Sequence, residues 1–252
     1  MKTLSGVNSK KEWFESWFDS PYYHVLYKER NENEAHSLLD NLINFLKPVT
    51  DSKILDVACG KGRHSLYLHR KGFTVTGFDL SPENIEYDRQ FENDRLSFFK
   101  HDMREIFRNH YFDYVFNLFS SFGYFEKEQD NAKTIHANAA SLKTGGILVL
   151  DYMNSVKVKN TLIPDESKTI NGITFHIHRK IEHGNVIKKI NFSDQGIDYE
   201  FYERLYLFDR KDFEKYFIND HLQVTHVFGD YDLNAFDENK SDRLIFTAKK
   251  FD

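Results

Sequence analysis

Between residues 53 and 152 short apolar runs alternate with helical patterns, and that alternation constrains the fold more than any other feature. The apolar runs cover 53–57, 73–78, 96–100, 112–119 and 147–152. Helical patterns cover 63–71, closed by Gly72, and 126–142, followed by a turn at Gly145-Gly146. A further helix opens at Ser81-Pro82-Glu83, with Ser81 as N-cap and Pro82 in the first turn. Strands joined through helices run parallel, linked by right-handed crossovers. The 112–119 run is apolar enough to be buried on both faces. The fold class expected is α/β, a doubly wound, mostly parallel, Rossmann-like sheet.

The flanks differ. Residues 10–46 read as helical, with Trp13, Phe14, Trp17 and Phe18 at helical spacing, an interruption at Pro21 and a break at Pro48. This aromatic face either packs on the core or serves as a lid. Residues 168–208 show strand-like alternation over 173–181, 186–192 and 199–208, jointed at His183-Gly184-Asn185 and Gln195-Gly196, as in an antiparallel meander. A helix (209–217) and two strands (223–228 and 243–249) follow. The expected organisation is an N-terminal helical lid or cap (1–50), a ligand-binding core (51–154 and 209–252) and an antiparallel β-insertion (155–208).

Chemistry concentrates in Ile54-Leu55-Asp56-Val57-Ala58-Cys59-Gly60-Lys61-Gly62-Arg63-His64. A strand carrying an acid runs into two glycines, and a helix starts at once. Glycine permits the sharp turn and close ligand approach, and the free N–H groups of the helix start form an anion site. Asp79, at the end of the second strand, suits the two hydroxyls of a ribose. Two cofactors fit this pattern, a dinucleotide or S-adenosylmethionine (SAM). Three points favour SAM. The dinucleotide fingerprint needs a third glycine, and Ser65 stands in its place. The carboxylate of Asp56 would repel a pyrophosphate but can bind an ammonium. His101-Asp102-Met103 follows the third strand, where an acid can accept from an adenine amino group and the next N–H can donate to the ring.

The stretch 53–154 resembles the core of the class I SAM-dependent methyltransferases. The resemblance rests on the acid-and-glycine loop, Asp79-Leu80-Ser81, His101-Asp102-Met103 and the strand Phe112-Asp113-Tyr114-Val115-Phe116-Asn117-Leu118-Phe119. Tyr22-Tyr23-His24-Val25-Leu26-Tyr27, together with the β-insertion, is similar to small bacterial members of the general methyltransferase-domain type. The resemblance implies a seven-stranded sheet with one antiparallel strand, the last two strands being 223–228 and 243–249. It implies SAM as cofactor, S-adenosylhomocysteine as product and no metal. It places Asp56, Ala58, Gly60, Gly62 and Arg63 at the methionine end, Asp79 at the ribose and Leu80 on the adenine. Asp102 and Met103 would hold the adenine edge, with Leu118 and Phe119 closing the pocket. Ala58 stands where the family often has glycine.

Methyl transfer from a sulfonium is an in-line displacement, so the protein mainly aligns the acceptor and excludes water. His24 and Tyr124 are the candidate catalytic residues, His24 as base. Tyr22, Tyr27, Arg30, Tyr152 and Asn154 are the candidate acceptor-binding residues, Arg30 for an acidic acceptor. Asn117-Leu118-Phe119-Ser120 lacks the Asn/Asp-Pro-Pro-aromatic signature of amino-directed nucleic-acid and protein methyltransferases. With a net charge of −5, this favours a small-molecule acceptor over a nucleic-acid partner. An RNA or protein methyltransferase, a non-catalytic SAM-binding protein and a nicotinamide-dependent oxidoreductase are the alternatives. The insertion either shapes the acceptor pocket or forms a homodimer contact. One cysteine, Cys59, gives neither a disulfide framework nor a zinc site, and His176 and His178 on one strand form no metal pattern. The absence of a signal-peptide pattern or long apolar run leads to the expectation of a cytoplasmic chain with no membrane partner.

Overall fold

The structure, a computed structural model, describes residues 12–28 and 32–252. Helices α1 (Trp13–Phe18), α2 (Pro21–Leu26) and α3 (Glu32–Leu46) lead into β1 (Lys53–Val57), α4 (Arg63–Arg70), β2 (Thr74–Asp79) and α5 (Pro82–Asp88). Then come β3 (Leu96–Lys100), β4 (Phe112–Asn117), α6 (Glu128–Ser141) and β5 (Leu142–Met153). After α7 (Ser155–Thr161) come β6 (Asp165–Ile170), β7 (Ile173–Glu182), β8 (Asn185–Asp194) and β9 (Ile197–Tyr206). The chain closes with α8 (Arg210–Asn219), β10 (Leu222–Phe228) and β11 (Arg243–Lys250).

The central sheet has seven strands in the order β10-β11-β5-β4-β1-β2-β3. The strands from β5 to β3 pair in parallel, and β11 is antiparallel to both its neighbours. The chain moves outward from β1 to β3 and then returns to β4 on the other side of β1. That reversal opens a crevice beyond the carboxyl ends of β1 and β4, where ligands bind in open α/β sheets.

Side-chain alternation divides the core into two layers. Leu55, Val115, Leu148, Leu150 and Phe246 face α6 and α8, packing with Ile135, Phe213 and Phe217. Ile54, Phe116, Val149 and Ile245, their chain neighbours, face the other way onto Leu38, Leu42, Leu68 and Ile85 of α3, α4 and α5. Each such buried side chain contributes roughly 1.5–3 kcal/mol.

The second sheet is antiparallel, in the order β6-β7-β8-β9. Its three joints are Asn171-Gly172, His183-Gly184 and Gln195-Gly196, both residues of each having positive φ. This suits the type I′ turns of two-residue hairpins. One face carries Phe175, Ile177, Ile190 and Phe192, covered by Trp17 of α1 and Leu26 of α2. The N-terminal helices are therefore seated on the insertion as well as beside the core.

Four elements depart from the sequence expectation. Strand β5 begins at Leu142 and runs through the expected turn at Gly145-Gly146, its first residue pairing with Phe112 of β4. Strand β6 is polar (Asp-Glu-Ser-Lys-Thr-Ile) and mostly exposed, so it lacks the apolar alternation of a half-buried strand. Helix α7 is short and is capped by Asn154, whose side chain accepts from the Val156 N–H. The fourth strand also ends early, at Asn117, because Phe119 and Ser120 turn left-handed. Among the described residues no helix is long and apolar enough to cross a membrane.

Candidate active site

The β1–α4 loop makes its turn through Ala58, Gly60 and Gly62, with φ of 56°, 58° and 63°. The two glycines carry different constraints. A Cβ on Gly60 would meet nothing within 4 Å, whereas one on Gly62 would lie 3.0 Å from the Phe98 ring and 3.1 Å from Asp88 Cγ. Gly60 leaves space at the crevice, and Gly62 lets α4 approach the sheet. Asp79 braces this loop. Its Oδ2 accepts from the Gly60 N–H and its Oδ1 from the Ser81 N–H, both at 2.9 Å. Burial raises the Asp79 pKa, against the pull of those two bonds.

A cavity of about 350 Å³ opens at this point. It is lined by Asp56 to Lys61, by Arg63, His64, Asp79, Leu80, Asn84, Asp102 and Met103, and by Leu118 and Phe119. Asp56 is buried and accepts from Ser65 Oγ at 2.6 Å; burial pushes its carboxyl up to about 7. His64 stacks on Phe119 at 5.0 Å, and burial lowers its pKa to about 3, so the ring is neutral. Arg63 donates to His64 Nε2 at 3.1 Å and lies over Phe119 at 4.8 Å.

Phe119 and Ser120 hold φ of 55° and 60°, uncommon for non-glycine residues and costing about 1–3 kcal/mol each. A buried acid holds them there. Asp151, 0% exposed, accepts from the Phe119 N–H at 2.7 Å and pairs with Arg243 at 2.7 Å. Arg243 also donates to Ser120 Oγ at 3.0 Å.

The opposite end of the cavity is aromatic. Phe14 and Phe18 of α1, Tyr23 of α2, and Tyr124 and Phe125 from the loop after β4 line it, with His24, Tyr27 and Lys28. Tyr124 packs on Phe18 at 5.3 Å, and its carbonyl accepts from Trp13 Nε1 at 3.3 Å. Burial, with the charge of Lys61, lowers the His24 pKa. His24 is therefore neutral at neutral pH and able to accept a proton.

Residues 54–146 match the family model described as "Methyltransferase domain". Over 232 residues the chain is 29% identical to YqeM of Bacillus subtilis (strain 168), covering 87% of this chain and 94% of that one. It is 34% identical over 152 residues to the glycine/sarcosine N-methyltransferase of Parasynechococcus marenigrum (strain WH8102), covering 58% of this chain and 52% of the relative. The crystal structure of an S-adenosylmethionine-dependent methyltransferase from Clostridium acetobutylicum ATCC 824 superposes with a TM-score of 0.77 at 20% identity, covering 92% of this chain and 96% of that chain. The chain carries a methyltransferase domain and is a SAM-dependent methyltransferase.

Its cofactor is SAM. In this methyltransferase Asp56, Ala58, Gly60, Arg63, Asp79, Leu80, Asp102, Met103, Leu118 and Phe119 all reach the cavity, as do His24, Tyr27 and Tyr124. Asp102 arrives already engaged. Its carboxylate accepts from Arg104 Nε and Nη2, the latter at 2.6 Å, and these bonds outweigh burial and hold its pKa low.

Four of the residues expected at the site lie elsewhere. Gly62 does not line the cavity; a side chain there would point at Phe98 and Asp88. Tyr152 is 0% exposed and donates to the Tyr206 carbonyl at 2.5 Å. Strand alternation puts it on the α6/α8 side, with Leu148 and Leu150. Asn154 caps α7 and donates to the Glu238 and Ser241 carbonyls. Tyr22 shares a helix face with Leu26 and packs on the second sheet, donating to Asp194 at 2.8 Å. Arg30 lies outside the described residues.

Several lining residues lie outside the sequence expectation, among them Phe125, Ser121, Asn84, Lys28 and Lys61. Asn84, one turn into α5, was findable because Ser81 and Pro82 fix where that helix begins. No sequence signal marked Phe125, since its place depends on the loop after β4. Cys59 also lines the cavity, but burial pushes its thiol up, consistent with a packing residue. Among the described residues no three His, Cys, Asp or Glu side chains gather as a metal site would require.

Proposed function

We propose that this enzyme moves the methyl group of SAM to an amino nitrogen of a small molecule. The observation that carries the proposal is the aromatic end of the cavity, where Phe14, Phe18, Tyr23, Tyr124 and Phe125 gather beside a neutral His24. Ring faces attract ammonium groups, most strongly when water is excluded. An amine acceptor arrives largely protonated and must lose a proton to expose its lone pair. His24 takes that proton. The nitrogen then attacks the methyl carbon, the carbon–sulfur bond breaks, and S-adenosylhomocysteine leaves with the bonding pair. Tyr124 orients the acceptor, and Tyr27 flanks it. The relative from Parasynechococcus marenigrum, named for N-methylation of glycine and sarcosine, supports an amine acceptor.

On the cofactor side, Asp79 takes the ribose hydroxyls, Leu80 packs on the adenine, and Asp102 with the Met103 N–H meets the adenine edge. Asp56, Ala58, Gly60 and Arg63 surround the methionine portion, Asp56 nearest its ammonium and Arg63 nearest its carboxylate. Leu118 and Phe119 close the pocket. Residues 51–154 with 209–252 act as the cofactor-binding core, 1–50 as its cap and 155–208 as an insertion that supports the cap.

A screen with methyl-labelled SAM tests the acceptor. Small primary and secondary amines should take up label, while alcohols, phenols, thiols and RNA should not. Transfer to a hydroxyl or to RNA, with none to amines, would overturn the proposal.

A further inference from the structure

One carboxylate outside the cavity holds both N-terminal helices. Glu203 of β9 accepts from Trp17 Nε1 of α1 at 2.7 Å and from the Tyr27 hydroxyl, just past α2, at 2.5 Å. Its cross-strand partner on β8 is Lys188. Lys188 Nζ lies 3.4 Å from Glu203, donates to the Tyr27 hydroxyl and sits 4.6 Å from the centre of the Tyr27 ring. The two charged side chains are only 12% and 14% exposed. Neither lines the cavity, but Tyr27 does. Tyr27 thus lines the site while its hydroxyl bonds to the second sheet.

Such a buried pair is costly to desolvate, and it is best matched when every donor and acceptor is used. Here the insertion supplies the charges and the cap supplies the two neutral donors. Tyr22, bonded to Asp194, ties α2 to the same sheet without reaching the cavity. Phe14 and Phe18, which do reach it, lie on the helix that Trp17 anchors.

We infer that Glu203, set by Lys188, is a positioning residue that latches the N-terminal cap over the cofactor and so governs how long the cofactor stays bound. The inference rests on the cavity being the cofactor site. It is independent of which acceptor is used.

The chain's only two tryptophans are Trp13 and Trp17, both in α1, so tryptophan emission excited at the red edge of the absorption band reports this helix alone. Trp17 is 0% exposed. The experiment compares full-length wild type, Glu203→Ala, Glu203→Gln and Tyr27→Phe, with S-adenosylhomocysteine as probe. Glu203→Ala should red-shift the emission and raise the probe's dissociation rate roughly tenfold or more, since hydrogen bonds to a charged group are lost. Glu203→Gln keeps an oxygen that accepts from Trp17 and Tyr27, and should restore most of the wild-type behaviour. Tyr27→Phe leaves the ring in place and should raise the dissociation rate with a smaller change in emission, which serves if Glu203→Ala fails to fold. Unchanged dissociation in Tyr27→Phe and in every folded Glu203 variant would overturn the inference. A wild-type protein that does not bind the probe would instead overturn the cofactor site itself.

Discussion

Replacing Asp88 by Asn should stabilise the ligand-free enzyme in alkali and much less in acid. Asp88 ends α5 with 0% exposure, and neither of its carboxylate oxygens has a hydrogen-bond partner. Burial pushes its pKa from 3.8 up to about 7, helped by the charges of Asp79 and Asp56 and opposed by Lys61. A rise of that size corresponds to about 4 kcal/mol of stability. Because the folded pKa is the higher one, the folded state holds the proton more tightly. Stability is full below the unfolded pKa and is lost as pH climbs to about 7. Asn resembles the protonated acid in size and charge, so the comparison isolates ionisation. Between pH 5 and pH 8 the difference between variant and wild type should grow by about 2.5 kcal/mol. In thermal unfolding that is roughly 5–10 °C for a chain of this length. The same offset at both pH values would refute the argument, since the carboxylate would then carry no buried charge.

Arg243→Met should cost about 3–5 kcal/mol, because it leaves Asp151 buried without its cation. Since burial already raises the Asp151 pKa, the deficit should shrink in acid, where that carboxylate takes up a proton, and melts at several pH values check both points. Gly62→Ala should destabilise by about 1–3 kcal/mol, from the positive φ and the contact with Phe98, with the Tm as the measurement. His24→Ala should lower kcat by about a hundredfold or more while leaving S-adenosylhomocysteine affinity intact. In the wild type, turnover should hold down to the lowered His24 pKa and fall below it, which a pH–rate profile tests.

The α/β core was legible because its signals are local. Apolar runs, the Ser81-Pro82 start and the Gly60–Gly62 turn each fix a backbone state within a few residues, and β1 and β3 match their expected bounds. Asn171-Gly172 was an equally local hairpin signal, yet the polar β6 beside it hid the strand it joins. Long-range features were not legible. The left-handed Phe119-Ser120 turn depends on Asp151 and Arg243, the latter over 120 residues away in sequence from Ser120. Tyr152 and Asn154 were expected at the acceptor because they end a strand. Alternation on β5 and the cap of α7 decide their places instead. Tyr22, His24 and Tyr27 sit within six residues, and only the position of the second sheet determines which of them turns to the cavity.

The most direct test of the account is thermal unfolding of wild type and Asp79→Ala with S-adenosylhomocysteine, with NAD as control. At about 100 times the dissociation constant, binding stabilises by about 2.7 kcal/mol. The wild type should therefore melt roughly 5–10 °C higher with S-adenosylhomocysteine, show no shift with NAD, and lose the response in Asp79→Ala. A shift with NAD alone, or an undiminished shift in Asp79→Ala, would contradict the placement of SAM against the β1 and β2 ends.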